Sequence, residues 1–217
     1  LDLKFKLSQD HLLYMISTLL DKNKIIHGTV RISVFRDSLG KYCPDQNTSS
    51  IYIISSEDKI SSFSKKSNCL KLGVYKENLK SYSNISNLKS LNSLLYVMAS
   101  KYALENNFDD VLLLNTKDQI IETTNSNFFL LIKGMVYTPP LSDGCVDGSM
   151  RKLLIDIINK EYDLKIQSIS NSQIEESEEI ILSNAITGVR RVTSFENRTY
   201  SEEAFYNFLI KSLNKLI

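Results

Sequence analysis

Apolar positions recur at helical spacing near the start of the chain, where Leu12, Leu13, Met15, Ile16, Leu19 and Leu20 share one face of residues 8–22 and Ser8 is placed to cap it. From Thr29 to Phe35 the period changes to two, with Val30, Ile32 and Val34 alternating against Thr29, Arg31 and Ser33, and Ile51–Ile54 follows as a pairing strand. A polar stretch, 55–67, precedes renewed strand character over Leu70–Tyr75. Residues 81–87, Ser-Tyr-Ser-Asn-Ile-Ser-Asn, read as a polar linker. Beyond it, Leu88, Leu91, Leu94, Leu95, Met98, Ala99 and Tyr102 predict a helix to about Glu105, stopped by Asn106-Asn107. Strands are expected at 110–115 and 120–123, then a hairpin of 128–132 and 135–137 turning at Lys133-Gly134. A helix over 148–162, a short buried strand at 179–182 and a closing helix over 201–217 capped by Ser201 complete the pattern.

Helices alternating with strands in this way predict an α+β protein of two domains, residues 1–82 and 88–217. With 217 residues and 42% hydrophobic content, both can hold a core. Lys+Arg 26 against Asp+Glu 25 leaves +1, with the basic residues scattered, which argues against nucleic acid as a partner. No apolar run reaches the ~20 residues that span a bilayer, and Leu1-Asp2-Leu3-Lys4 lacks a signal-peptide shape, so a soluble cytoplasmic protein without a membrane partner is expected. Cys43, Cys69 and Cys145 are odd in number and lack Cys-x-x-Cys spacing, and His11 and His27 are the two histidines. Neither a disulfide framework, a metal centre nor a Ser-His-Asp site is predicted from them.

Three separated blocks carry the chemical signal: Glu122-Thr123-Thr124-Asn125-Ser126-Asn127-Phe128-Phe129, then Tyr137-Thr138-Pro139-Pro140-Leu141, then Gly148-Ser149-Met150-Arg151. Their order and spacing resemble the class IV, fold-type IV pyridoxal-phosphate enzymes, a family of branched-chain aminotransferases, D-amino-acid aminotransferases and 4-amino-4-deoxychorismate lyases. The resemblance implies a D-amino-acid aminotransferase-like fold, with a small α/β sandwich and a larger pseudo-barrel domain that binds pyridoxal 5'-phosphate. It also implies a homodimer acting on a small amino substrate.

Such a cofactor needs a lysine for its covalent link, an acid at the pyridine nitrogen, donors for its phosphate and a clamp for the substrate carboxylate. Lys89, in Asn87-Leu88-Lys89-Ser90-Leu91-Asn92, resembles the family's Lys-x-Leu-Asn segment and is the expected catalytic lysine at the start of the long helix. Glu122 matches the family's acid, and flanking Ile120-Ile121 and Phe128-Phe129 suggest that it is partly buried. Asn127 is expected to order that loop. Backbone amides of Ser149 and Met150 at a helix start suit an anion, and Asn184-Ala185-Ile186 resembles a second phosphate loop. Arg31 is the leading substrate-carboxylate candidate because a guanidinium matches a carboxylate at two points, with Arg36, Arg190 and Arg191 as competitors.

The sequence departs from the family pattern at Ser149, where an aliphatic residue is usual. The family's preceding Arg-Gly turn and phosphate-gripping arginine are also not found, so a removed front segment or a missing phosphate arginine is expected. Met150 and Asn184-Ala185 are closer to the lyase branch, which implies release of pyruvate and of 4-aminobenzoate for folate synthesis. A class IV aminotransferase and a non-catalytic relative of the fold are the alternatives.

Overall fold

Ser8 accepts the His11 backbone N–H at 3.2 Å and starts α1 (Gln9–Asn23), which Lys24 closes in the left-handed region at φ 55°. Two antiparallel strands follow, β1 (Gly28–Arg36) and β2 (Ser49–Glu57), with Arg31 opposite Ile54. These elements belong to the first of two compact units, Leu1–Ser61, the second being Ser62–Ile217. The computed structural model describes residues 3–57 and 70–216, so most of the polar stretch 55–67, and Cys69, lie outside the described residues. The alternation expected of β1 is weak, since Ile32 and Val34 are exposed and Val30 is half-buried.

The second unit is built on a nine-stranded mixed sheet in the order β5-β4-β3-β10-β9-β6-β7-β8, with β11 (Arg198–Thr199) added to β10. Its strands are β3 (Leu70–Lys80), β4 (Asp110–Asn115), β5 (Ile120–Thr123), β6 (Asn127–Ile132), β7 (Met135–Thr138), β8 (Leu164–Ile166), β9 (Glu179–Asn184) and β10 (Gly188–Phe195). The chain divides earlier than the polar linker 81–87 because β3 pairs in parallel with both β4 and β10.

Continuous apolar runs in β4 and β6 follow from burial on both faces. Along β6, Phe128, Leu130 and Ile132 enter one core while Phe129 and Leu131 enter another beneath α3 (Ser149–Ile158) and α5 (Ala204–Leu213). Leu112 and Leu114 of β4 join the first core, and Val111 and Leu113 pack with Ala99 and Ala103 of α2 (Leu94–Glu105) in a third. The β6–β7 hairpin turns where expected, with Lys133 at φ 49° and Gly134 at φ 78°, the positive pair that a two-residue turn matching strand twist requires.

Four expectations are corrected. Helix α2 starts at Leu94 rather than Leu88, and Leu88, Leu91, Leu94 and Met98 are exposed, because the buried face is the one carrying Ala99 and Ala103. Helix α3 ends at Ile158 instead of Tyr162. Helix α5 starts at Ala204, and the acceptor for its first amides is not Ser201 but the fully buried Glu179 of β9, which takes the Phe205 and Tyr206 N–H groups at 2.7 and 3.0 Å. The pattern also concealed β8, β10, β11 and α4 (Asn171–Glu176).

Candidate functional site

Pairing with β4 sets Leu113 opposite Glu122 and carries the Glu122 side chain into the interior, where the residue is 3% exposed. A buried carboxylate requires donors, and three converge on it. Oε1 accepts from Lys80 Nζ at 2.6 Å and from the Tyr96 hydroxyl at 2.8 Å, and Oε2 accepts from the Val146 N–H at 2.8 Å. Lys80 is the last residue of β3, and a register shift after Tyr75 sets it opposite Asn115. Its ammonium also donates to Tyr96 Oη at 2.7 Å and to the Ser86 carbonyl at 3.0 Å, so all three of its hydrogens have acceptors. Burial pushes the Tyr96 phenol well above the usual tyrosine range, and the Glu122 charge and hydrogen bond push it further, so Tyr96 acts as a donor and not as an acid. Nearby Cys145 is raised to about 11, chiefly by burial, with Arg151 opposing the shift.

Val146 joins this acid to the rest of the site. Its N–H holds Glu122 while its carbonyl accepts from Asn127 Nδ2 at 2.8 Å. A Cβ at Gly148, the N-cap of α3, would overlap Asn127 Oδ1, so a larger residue there would make the Asn127 side chain shift. The first-turn amides of α3, Ser149 and Met150 among them, have no acceptor within their own helix. Ser149 is exposed and Met150 buried. Arg151 is buried and donates to the Pro139 carbonyl at 2.8 Å, tying α3 to the segment after β7.

Across the sheet Asn127 pairs with Ser183, whose buried hydroxyl has no partner among the described residues. The following loop folds back on itself, for Asn184 Oδ1 accepts from the Ile186 and Thr187 N–H groups at 3.0 and 2.8 Å, while Asn184 Nδ2 reaches Ser126 Oγ at 3.1 Å. Ala185 and Ile186 are exposed. Arg190 donates to Asn125 Oδ1 and Ser126 Oγ, both at 3.0 Å, and stands 3.9 Å from Asp110 Oδ2. Glu122, Asn127, the start of α3 and the 183–187 loop are therefore brought together around one turn, 123–127.

Lys89 is exposed and lies in the loop before α2, not at the helix start. Asn87, two residues away, connects that loop to the acid: its side chain donates to the Leu141 and Cys145 carbonyls, and its own carbonyl accepts from Asp147 N–H at 3.0 Å. Arg31 is exposed on β1 in the first unit. The sequence reading missed Lys80, Tyr96 and Val146. Lys80 was within reach of a longer reading of β3 past Tyr75, whereas a backbone donor such as Val146 leaves no residue-type signal. Among the described residues no cluster of His, Cys, Asp and Glu could hold a metal ion, and no helix is long and apolar enough to cross a membrane.

The chain is similar to known proteins over most of its length. It is 27% identical over 125 residues to an aminodeoxychorismate lyase of Vibrio harveyi, covering 57% of this chain and 46% of that one. Against a D-alanine aminotransferase of Staphylococcus epidermidis it is 22% identical over 204 residues, 93% of this chain and 71% of the relative. The crystal structure of a branched-chain aminotransferase from Thermoproteus uzoniensis with norvaline superposes with TM-score 0.87 at 16% identity, covering 99% of this chain and 73% of that one, and so shares its fold. The chain spans only 33% to 46% of the length of several branched-chain aminotransferase and lyase relatives that it matches. The profile of the family described as amino-transferase class IV matches residues 1–195, and the chain belongs to that family.

Proposed function

We propose that this chain is a pyridoxal-phosphate-dependent enzyme in which Glu122 receives the cofactor's pyridine nitrogen and Lys89 carries its covalent link. The observation that supports this reading most is the buried Glu122 carboxylate, oriented by the Tyr96 hydroxyl and the Val146 N–H. The surrounding donor set fits a phosphate as well, with the amides of Ser149 and Met150 at a helix start and the buried Ser183 hydroxyl, which has no partner among the described residues. Asn127 fixes the position of that helix start, and the Asn184-Ala185-Ile186 loop lines the adjoining strand end. When bound, the cofactor supplies an electron sink for the substrate Cα. The Lys89 amine takes the Cα proton, Glu122 orients the ring, and Arg31 is the candidate for the substrate carboxylate.

For the reaction, we favour 4-amino-4-deoxychorismate lyase, in which the amino substrate loses pyruvate by β-elimination and leaves 4-aminobenzoate. Met150 in the Gly-Ser-Met-Arg turn and Asn184-Ala185 in the second loop support this branch. Relatives described as branched-chain and D-alanine aminotransferases favour the second reading, amino transfer to a 2-oxo acid. Incubation with aminodeoxychorismate and pyridoxal phosphate, with no oxo acid present, separates the two. Stoichiometric pyruvate and 4-aminobenzoate support the lyase; turnover only when a 2-oxo acid is added supports the aminotransferase. A colourless protein that takes up no cofactor supports a non-catalytic relative. A homodimer in the cytoplasm accompanies this proposal.

A further inference from the structure

We propose that Lys80 is a stand-in for the cofactor's ring N–H, neutralising Glu122 in the cofactor-free chain and giving up Oε1 when the ring binds. The inference rests on the reading of Glu122 as the pyridine partner. Neither the covalent link nor the phosphate site needs a second cation at Glu122, yet the structure places one there at 2.6 Å, with side-chain exposures of 11% and 3% for Lys80 and Glu122. A buried carboxylate without a partner is strongly destabilising, so a chain that must fold before it takes up its cofactor requires some such counter-ion. Once a protonated ring nitrogen reaches the same carboxylate, two cations compete for it and repel each other.

The network around Lys80 allows it to yield. Two of its three acceptors, the Tyr96 hydroxyl oxygen at 2.7 Å and the Ser86 carbonyl at 3.0 Å, are independent of Glu122. Tyr96 donates separately to Oε1 at 2.8 Å, so the carboxylate keeps its orientation through Tyr96 and Val146 while the ammonium leaves. Lys80 is thus a positioning and affinity-setting residue, and it opposes cofactor uptake while supporting the empty fold.

That pairing of opposite effects is the test. Pyridoxine 5'-phosphate has the ring and the phosphate but no aldehyde, so its binding reads the ring site without a covalent link to any lysine. Its dissociation constant and the melting temperature of the ligand-free protein would be measured for wild type, Lys80→Met, Lys80→Gln, Lys80→Arg and Glu122→Gln. Lys80→Met is expected to melt lower than wild type yet bind the ligand about tenfold more tightly, a change of ~1.4 kcal/mol; Lys80→Arg should retain wild-type behaviour in both. If the Met protein does not fold, Lys80→Gln carries the same comparison. A purely structural lysine would lower melting temperature and affinity together, and that result, or an unchanged affinity, overturns the inference. Where Lys80 variants bind like wild type but Glu122→Gln weakens binding, the stand-in role fails and the Glu122 reading survives. Binding indifferent to Glu122→Gln sinks both.

Discussion

Replacing Glu122 by glutamine keeps the volume of the side chain and removes its charge, so the cost can be worked from the three donors around it. Lys80 loses its counter-ion but retains the Ser86 carbonyl and the Tyr96 hydroxyl, which places this loss below the ~3–5 kcal/mol of a fully abandoned buried charge, at about 1–2 kcal/mol. An amide can offer only one acceptor oxygen. With that oxygen facing Lys80 and Tyr96, the amide NH2 faces the Val146 N–H, and an unsatisfied buried donor costs ~1–3 kcal/mol. Together these give about 2–5 kcal/mol, or roughly 4–20 °C in melting temperature for a chain of this size. Thermal unfolding of the cofactor-free protein followed by circular dichroism measures it. The double variant Glu122→Gln with Lys80→Met should recover part of the loss, because the stranded ammonium is gone. A shift under ~2 °C for Glu122→Gln would refute the claim that this pair supports the fold.

The buried Glu179 carboxyl is pushed above the ordinary value of 4.5 by desolvation, with the Phe205 and Tyr206 amides pulling it partly back. A raised acid favours the fold fully at pH below its unfolded value and loses that contribution as pH climbs towards its folded value. Urea midpoints should therefore fall more steeply with rising pH above 4.5 in wild type than in Glu179→Gln, and parallel profiles would contradict this. Gly148→Ala forces a methyl group onto Asn127 Oδ1, so Asn127 must release the Val146 carbonyl; equilibrium dialysis should show weaker cofactor uptake, and wild-type uptake would count against the Asn127–Val146 link. At pH 8, where a thiol raised to about 11 is almost wholly protonated, iodoacetamide should label exposed Cys43 quickly and buried Cys145 only after urea is added, as read by peptide mass mapping. Equal rates for the two in the native protein would show that Cys145 is not enclosed.

Strands β4 to β6 were legible because both of their faces are buried: a run such as Phe128-Phe129-Leu130-Leu131-Ile132 serves two cores at once and needs no alternation. Strand β10 was hidden by Arg190 and Arg191 at adjacent positions, which break any simple apolar pattern. Its first half pairs with β9 and its second with β3, and both arginines are half-buried and hydrogen-bonded. Leucine spacing misled at α2, where the contact with β3 and β4 is made through Ala99 and Ala103, and Leu88 and Leu91 stay outside. At the candidate site the motif named Glu122, Asn127 and Gly148, which stand at short sequence spacing, and Val146 bonds to both Glu122 and Asn127. Lys80 lies 42 residues from Glu122 in sequence and meets it only through the β3–β4–β5 register. The Glu179 cap on α5 is equally non-local, spanning 26 residues, and a residue-by-residue search for a local cap cannot find it.

The identity of the cofactor-linked lysine tests the whole account most directly. The protein would be saturated with pyridoxal phosphate, reduced with borohydride to fix the linkage, digested and mapped by tandem mass spectrometry. The phosphopyridoxyl group is predicted on Lys89, with Lys80 unmodified and Glu122→Gln reducing the yield. A modification on Lys80, or none on any lysine, would contradict it.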